Sequence, residues 1–294
     1  MQKLGLLLDV DGPIASPVSR TVAIDSILSD LVTLTAGGVP IAFITGRSDA
    51  FIRDQVITPL LSAGLADALA RDGARMFAVF EKGAAWSTVG TEGMGKVEVD
   101  ASVALPQAAV DDARRMVEAD FAATMFFDET KRAMISVEQR VDVDHTTYVT
   151  EQKRFNDAAF ALIAGHGLGV RYGDRESPDE SGSVPYRLDP TIISTDIESV
   201  LLDKDRGAER ALAHFLTTGP LPREWRSVGD SRSDYLMADH LHAAGYDVAH
   251  VDVRPSDGTL ERPYPVIVEG DLIHDEAGAA FLSYWVRKLG LSPS

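Results

Sequence analysis

The chain has 294 residues, 45% of them hydrophobic, which is enough for a full core plus a second domain and too apolar for a disordered chain. Its formal net charge of -17 repels nucleic acid and anionic membrane surfaces, so any anionic ligand must be held by local positive groups. The absence of cysteine excludes disulfides, thiolate catalysis and cysteine zinc sites. No apolar segment has the length of a membrane span, and the apolar start is too short for a signal peptide, so the expected location is cytoplasmic.

Residues 4–8, apolar but for Gly5, run into Asp9-Val10-Asp11-Gly12. A short apolar run stopped by turn residues reads as a buried strand. Asp9 and Asp11 then stand just past its carboxyl end, where open α/β sheets place their ligands. In extended chain, residues i and i+2 point the same way, so both carboxylates can reach one site. Two such charges about 4 Å apart repel by roughly 4 kcal/mol at an effective dielectric near 20. A shared proton or a bound cation must compensate, and oxygen ligands suit a hard ion such as magnesium.

Residues 19–35 carry apolar side chains at Val22, Ala23, Ile27, Leu28, Leu31 and Leu34, a helical period that Gly37-Gly38 ends. Residues 39–44 read as a second buried strand running into Thr45-Gly46-Arg47-Ser48-Asp49. Ser48 or Asp49 can cap the helix that follows, which continues to a break at Pro59. Residues 75–80 form a third strand, closed by Glu81-Lys82-Gly83. Strand, helix, strand, helix, strand is the pattern of a parallel sheet covered by helices.

The middle of the chain changes character. Residues 85–99 are glycine-rich with short alternating stretches, 106–121 form an amphipathic helix, 133–143 alternate like a half-exposed strand, and 146–164 are helical, ending near Gly165. After a short apolar stretch around Val170, residues 173–182 are a polar loop. This region reads as an α+β unit inserted into the first domain, with core segments 1–84 and 196–294 flanking an insert over 85–195.

After it the α/β pattern resumes. Asp203-Lys204-Asp205-Arg206-Gly207 precedes a helix over 208–216, and a strand over 225–228 ends in Gly229-Asp230-Ser231-Arg232-Ser233-Asp234. A helix through Leu236 and Leu241, strands over 247–253 and 265–268, and a final helix after Asp275 complete the sheet. No internal repeat or low-complexity tract is visible. The stretch from Gly90 to Lys96 matches the glycines and lysine of a phosphate-binding loop, but Val97 replaces the required hydroxyl residue, and a plain loop is the better reading.

Four polar clusters thus follow a strand or open a helix: Asp9 with Asp11, Thr45-Gly46, Lys204, and Asp230 with Asp234. Such positions converge on one edge of a parallel sheet. Together they supply carboxylates for a cation, a hydroxyl and helix-start amides for an anion, and one ammonium, the parts phosphoryl transfer needs. Singly each has a plainer reading, as a turn, a helix cap, a solvated lysine, or a first-turn acid stabilised by the helix dipole. Their agreement in order favours the catalytic one.

Asp9-Val10-Asp11-Gly12, Thr45-Gly46-Arg47, Lys204 and the stretch from Gly229 to Asp234 resemble the four ordered motifs of the haloacid dehalogenase superfamily of hydrolases. The insert resembles the type II α+β cap of its Cof-type, sucrose-phosphatase and mannosyl-phosphoglycerate-phosphatase branches. Glu81-Lys82-Gly83-Ala84 is similar to the step that precedes that cap. Pro13 stands where the family usually has threonine or valine, and Lys204 is followed by Asp205 instead of glycine, which leaves Arg206 a rival for its role.

The resemblance implies an α/β fold, a Rossmann-like parallel sheet core with helices on both faces, plus an inserted α+β cap domain. It also implies that Asp9 attacks phosphorus and becomes an aspartyl phosphate, while Asp11 protonates the leaving oxygen and then takes a proton from water. Magnesium would be held by Asp9, the backbone carbonyl of Asp11 and Asp230, with Asp234 binding directly or through a neighbouring group. Thr45 and the Gly46 amide would grip the phosphate, and Lys204 would neutralise charge. Arg47 and Lys82 are candidate substrate-binding groups, as are Arg132, Arg140, Lys153, Arg154 and Arg187 in the insert. The expectation is a magnesium-dependent phosphatase for a small phosphorylated metabolite, a sugar phosphate above others, without nucleic-acid or membrane partners and with no oligomeric state specified. A sugar phosphomutase sharing the intermediate, or a ligand-binding module without turnover, are the alternatives.

Overall fold

The computed structural model describes residues 4–292; residues 1–3 and 293–294, the outer ends of the expected core segments, lie outside the described residues. The chain divides into two compact units, one built from Met1–Glu98 with Asp203–Ser294 and the other from Val99–Leu202.

The first unit is organised by the opening strand, Leu4–Leu8, at the middle of a sheet. On one side it pairs with Glu224–Gly229, followed by Asp247–Asp252 and Val266–Ile267. On the other it pairs with Ile41–Ile44, followed by Met76–Phe80. These six strands are parallel. Leu4, Leu6 and Leu8 point into a core that includes Leu31 and Leu34 of the helix Asp25–Ala36 and Phe281 and Trp285 of the helix His274–Lys288. Leu7 points the other way, into a core with Ala208 and Phe215 of the helix Lys204–Thr218 and Leu241 of the helix Tyr235–Ala243. A strand covered on both faces needs an unbroken apolar run, which is why this one does not alternate. Gly5 interrupts it because a β-carbon there would stand 2.5 Å from carbons of the buried Trp225 ring.

Several boundaries depart from the sequence reading. The first helix starts at Asp25 instead of residue 19, because the preceding residues form a turn in which Ser16 donates to the Thr21 carbonyl and Arg20 sits at φ 58°. Ser48 caps the next helix, accepting from the Phe51 amide at 3.4 Å. That helix does not break at Pro59. A wide π-helical turn, Arg53–Ile57, joins Asp49–Ile52 to Thr58–Ser62, and it accommodates the proline, whose missing N–H a regular turn would leave unmatched.

Residues 85–94 join the first unit. Ala85–Gly90 pairs antiparallel with Met76–Phe80 and then with Gly93–Met94, so this unit extends through 98 and not only to 84. The short alternation in this stretch is that of a strand with one covered face, and alternation alone does not say which sheet the strand joins.

The second unit has its own six-stranded sheet, in the order Arg175–Ser177, Val170–Tyr172, Tyr186–Pro190, Ser194–Ser199, Ile135–Gln139, Met125–Phe127. All its pairs are antiparallel except that between Val170–Tyr172 and Tyr186–Pro190. Helices Gln107–Met116 and His145–Gly165 bury one face, with Tyr148, Phe155 and Ile163 packed in a core with Ile135, Val137 and Ile197. The opposite face is polar: Ser136 donates to Asp196 at 2.7 Å, and Arg187 donates to Glu198 at 2.8 and 3.0 Å. The polar stretch 173–182 is not all loop, since Arg175–Ser177 forms a hairpin with Val170–Tyr172. Ser194–Ser199 carries this unit to Leu202, past the expected boundary at 195. No helix among the described residues is long and apolar enough to cross a membrane.

The helix Lys204–Thr218 lies unusually close to its sheet at Gly207, where a β-carbon would stand 2.3 Å from Cγ2 of Ile44. Overpacking at such a contact costs roughly 1–3 kcal/mol, while alanine in place of glycine gains at most about 1 kcal/mol of helix propensity. Gly207→Ala is therefore expected to destabilise the protein by about 1–2 kcal/mol, read from chemical denaturation.

Candidate active site

Parallel strands deliver their ends to one edge, and the polar clusters meet there. Asp9 follows Leu8, Thr45 follows Ile44, Asp230 follows Gly229, and Lys204 opens the helix capped by Asp203. Lys204 is buried. Its ammonium donates to Asp9 Oδ1, donates to the Ile44 carbonyl at 2.7 Å, and forms an ion pair with Asp234 Oδ1 at 2.9 Å. Arg206 turns elsewhere, its stem packed where a Gly83 side chain would begin. Of the two rivals, Lys204 is the cation that reaches Asp9.

Asp234 Oδ2 accepts from the Asp230 and Ser231 amides at 3.0 and 2.9 Å and from the Ser231 hydroxyl at 2.8 Å. Glycines let these groups close up. A β-carbon on Gly229 would stand 2.2 Å from Asp234 Cβ, and one on Gly12, at φ 96°, would stand 2.8 Å from Asp230 Cγ. One carboxylate oxygen from each of Asp9, Asp230 and Asp234 lies within 4.8 Å of the others.

The electrostatics follow from burial. Burial and then the Asp234 charge hold the Asp9 carboxyl well above the ordinary aspartate range, against the pull of Lys204. Burial and Asp234 push Asp230 up to about 6. Asp234 is lowered, because Lys204 and the Ser231 donors outweigh its burial. Lys204 is raised, because the Asp234 and Asp9 charges overcome its burial. Three carboxylates against one ammonium leave an excess of negative charge that a divalent cation would balance, so the donor set fits a hard ion bound by oxygen.

The remaining expected residues gather nearby, some in unexpected postures. Asp11 is partly exposed and clasped by Arg47, whose Nε stands 3.0 and 3.2 Å from its two oxygens and whose Nη2 stands 3.0 Å from one. Arg47 also stacks on the Phe51 ring at 4.9 Å. The Thr45 hydroxyl accepts from the Arg47 amide at 3.0 Å. Glu81, Lys82 and Gly83 lie in succession at φ 49°, 54° and 102°. For the two non-glycine residues this left-handed backbone costs roughly 1–2 kcal/mol each. Lys82 donates its amide to the Thr45 carbonyl at 3.0 Å, and its methylenes stand 3.7–3.9 Å from where a Gly46 side chain would begin. Of the other arginines and lysines named above, Arg187 is engaged by Glu198, Arg140 by Asp142 and Arg154 by Glu151 within the second unit.

Two residues outside the four motifs also border the cluster. Arg254 Nη1 and His274 Nδ1 stand 4.0 and 3.8 Å from Asp230 Oδ2. Arg254 follows the strand Asp247–Asp252 and His274 opens the last helix, so the positional rule that picked out the other clusters applies to them too.

No protein-family model and no curated protein matches the sequence. Solved structures do resemble it. The C-terminal domain of trehalose-6-phosphate phosphatase from C. albicans matches with a TM-score of 0.62 at 12% identity, over 99% of this chain and 93% of that one. A haloacid dehalogenase-like hydrolase from Bacteroides thetaiotaomicron matches with a TM-score of 0.58 at 11% identity, over 97% and 100%. The trehalose-6-phosphate phosphatase of Aspergillus fumigatus matches with a TM-score of 0.52 at 15% identity, over 97% and 93%. At these identities the likeness is one of fold: the chain has the haloacid dehalogenase-like fold, core and α+β insert together.

The raised carboxyls predict how cation binding depends on pH. Without a cation, the folded protein keeps protons at Asp230 up to about pH 6 and at Asp9, whereas an unfolded chain sheds them near pH 4. Stability contributed by these groups therefore falls as pH rises through that window, and a cation, competing with the protons, restores it above the window. Saturating magnesium is expected to raise the melting temperature more at about pH 7.5 than at about pH 5. An equal rise at both would count against Asp230 as a ligand.

Proposed function

We propose that the protein is a magnesium-dependent phosphatase that hydrolyses a small phosphorylated metabolite, a sugar phosphate, through a phosphoryl group carried on Asp9. The observation that carries this reading is the Asp9 carboxylate held by Lys204 beside Asp230 and Asp234 at the carboxyl edge of a parallel sheet. Two of the similar structures are named as trehalose-6-phosphate phosphatases, and this chain spans nearly their whole length, which supports the substrate class. The expected cytoplasmic location is part of the same proposal.

In this mechanism a carboxylate oxygen of Asp9 attacks phosphorus. The bond from phosphorus to the metabolite oxygen breaks as the bond to Asp9 forms, and Asp11, released by Arg47 and protonated from solvent as the substrate enters, delivers that proton to the departing oxygen. Asp11, now a carboxylate, takes a proton from a water molecule whose oxygen attacks phosphorus. Inorganic phosphate leaves, and both aspartates return to their starting states. The Thr45 hydroxyl and Gly46 amide hold phosphoryl oxygens, Lys204 balances their charge, and Lys82, whose methylenes lie beside Gly46, is a further candidate cation for the same anion. Arg47 orients Asp11 in the free protein and is drawn to the substrate anion when it enters. Asp9, Asp230 and the Asp11 carbonyl would hold the magnesium ion, with Asp234 supporting them, and the bound ion supplies positive charge for the phosphoryl oxygens.

Asp9→Asn is expected to lower magnesium-dependent phosphate release from an aryl phosphate by on the order of 10³-fold or more, with an unchanged circular dichroism spectrum. Asp11→Asn, which keeps the nucleophile, is expected to cost about 10²–10⁴-fold. Undiminished turnover in Asp9→Asn would refute the nucleophile. Release of inorganic phosphate from sugar phosphates, without an isomerised sugar phosphate, separates hydrolysis from the phosphomutase alternative.

A further inference from the structure

We infer that His274 is a positioning residue that fixes the Asp230 carboxylate for the cation, an assignment that rests on the metal reading above. Asp230 is mostly buried, and the close approach of Gly12 blocks it on one side. Beside its Oδ2 stand His274 Nδ1 and Arg254 Nη1, contributed by two elements outside the four motifs.

Three observations single out the histidine. Its backbone is left-handed, at φ 51°, a conformation that strains a residue with a side chain and persists only where its surroundings impose it. The imposing contact is visible. His274 donates its amide to the Val253 carbonyl at 2.7 Å, and Val253 donates its own to the Gly229 carbonyl at 3.0 Å, so the strained residue is tied by two backbone hydrogen bonds to the residue before Asp230. Finally, His274 Nδ1 is buried and makes no hydrogen bond, while a carboxylate oxygen stands 3.8 Å away. A buried polar nitrogen left in that state carries the full cost of its desolvation, which a closure of less than an ångström onto Asp230 would recover. With Oδ2 engaged by His274 and Arg254, Oδ1 would be the oxygen left for an ion. Ligating carboxylates held in this way bind metal more tightly because their orientation is fixed beforehand.

The test measures manganese binding to the full chain, with manganese alone as probe, from the electron paramagnetic resonance signal of the free ion. His274→Gly removes the imidazole and relieves the backbone, whereas His274→Asn keeps a polar atom near the Nδ1 position and tolerates positive φ. His274→Gly is expected to weaken binding about 10–100-fold without lowering the melting temperature, and His274→Asn to stay within about threefold of wild type. Wild-type affinity in His274→Gly, or equal losses in both variants, overturns the assignment. If His274→Gly does not fold, His274→Leu, which keeps the bulk without a nitrogen, takes its place with the same two outcomes. Asp230→Asn serves as the control for loss of the ligand itself. Failure of the wild type to bind manganese overturns the metal reading, and this inference with it, whereas normal wild-type binding with an unaffected glycine variant overturns this inference alone.

Discussion

One ammonium sits where burial alone would exclude any charge. Lys204 donates to an Asp9 oxygen and to the Ile44 carbonyl and forms an ion pair with an Asp234 oxygen. Taking such a group out of water costs several kcal/mol, and only close opposite charges return it. The dependence is mutual. Asp234 remains an anion because of Lys204 and the Ser231 donors, whereas Asp9, with less support, is left with a raised affinity for protons. The arrangement leaves the Asp9 carboxyl short of positive charge, and that shortage is what a bound cation would make good.

Such crowding requires backbone to come closer than side chains normally permit. Gly207 lets the helix carrying Lys204 settle on Ile44, Gly229 lets the chain fold back beside Asp234, and Gly12 lets the opening loop press on Asp230. On the opposite face of the sheet Gly278 does the same, for a β-carbon there would stand 1.9 Å from the Pro13 carbonyl oxygen. The helix His274–Lys288 thus backs the loop that holds Asp9 and Asp11, and Pro13, one of the two departures from the motifs the sequence resembles, forms that contact without displacing a candidate ligand.

What was legible in the sequence is what depends on local order. Asp9, Thr45, Lys204 and Asp230 each follow an apolar run or open a helix, and parallel topology then brings them together, so position along the chain was enough to group them. What was not legible depends on contacts between distant segments. Alternation in 85–94 signalled a half-covered strand but not the sheet it joins. Pro59 signalled a helix end because the widened turn that accommodates it has no signature in residue types. The left-handed backbone at Glu81 and Lys82 is imposed by the Arg47 and Thr45 carbonyls that receive their amides, not by either residue's own preference. Arg254 and His274 were within reach of the positional rule, yet neither belongs to a motif that drew attention to it.

The geometry also divides labour among acids that the sequence could treat only as a group. Asp234 has one oxygen taken by three donors, while the other makes no hydrogen bond and faces the Lys204 ammonium at 2.9 Å, so only that second oxygen could serve a cation. Asp230 accepts no comparable set; its charged neighbours stand at 3.8 and 4.0 Å, and its carboxyl is pushed up to about 6 for want of compensation. An acid with its lone pairs committed serves as scaffold, and an acid that burial leaves uncompensated is the one whose binding of a cation stabilises the fold most. By that criterion Asp230 is the stronger candidate ligand, and Asp234 is the anchor that turns the Asp230 amide, the Ser231 loop and Lys204 into one rigid corner.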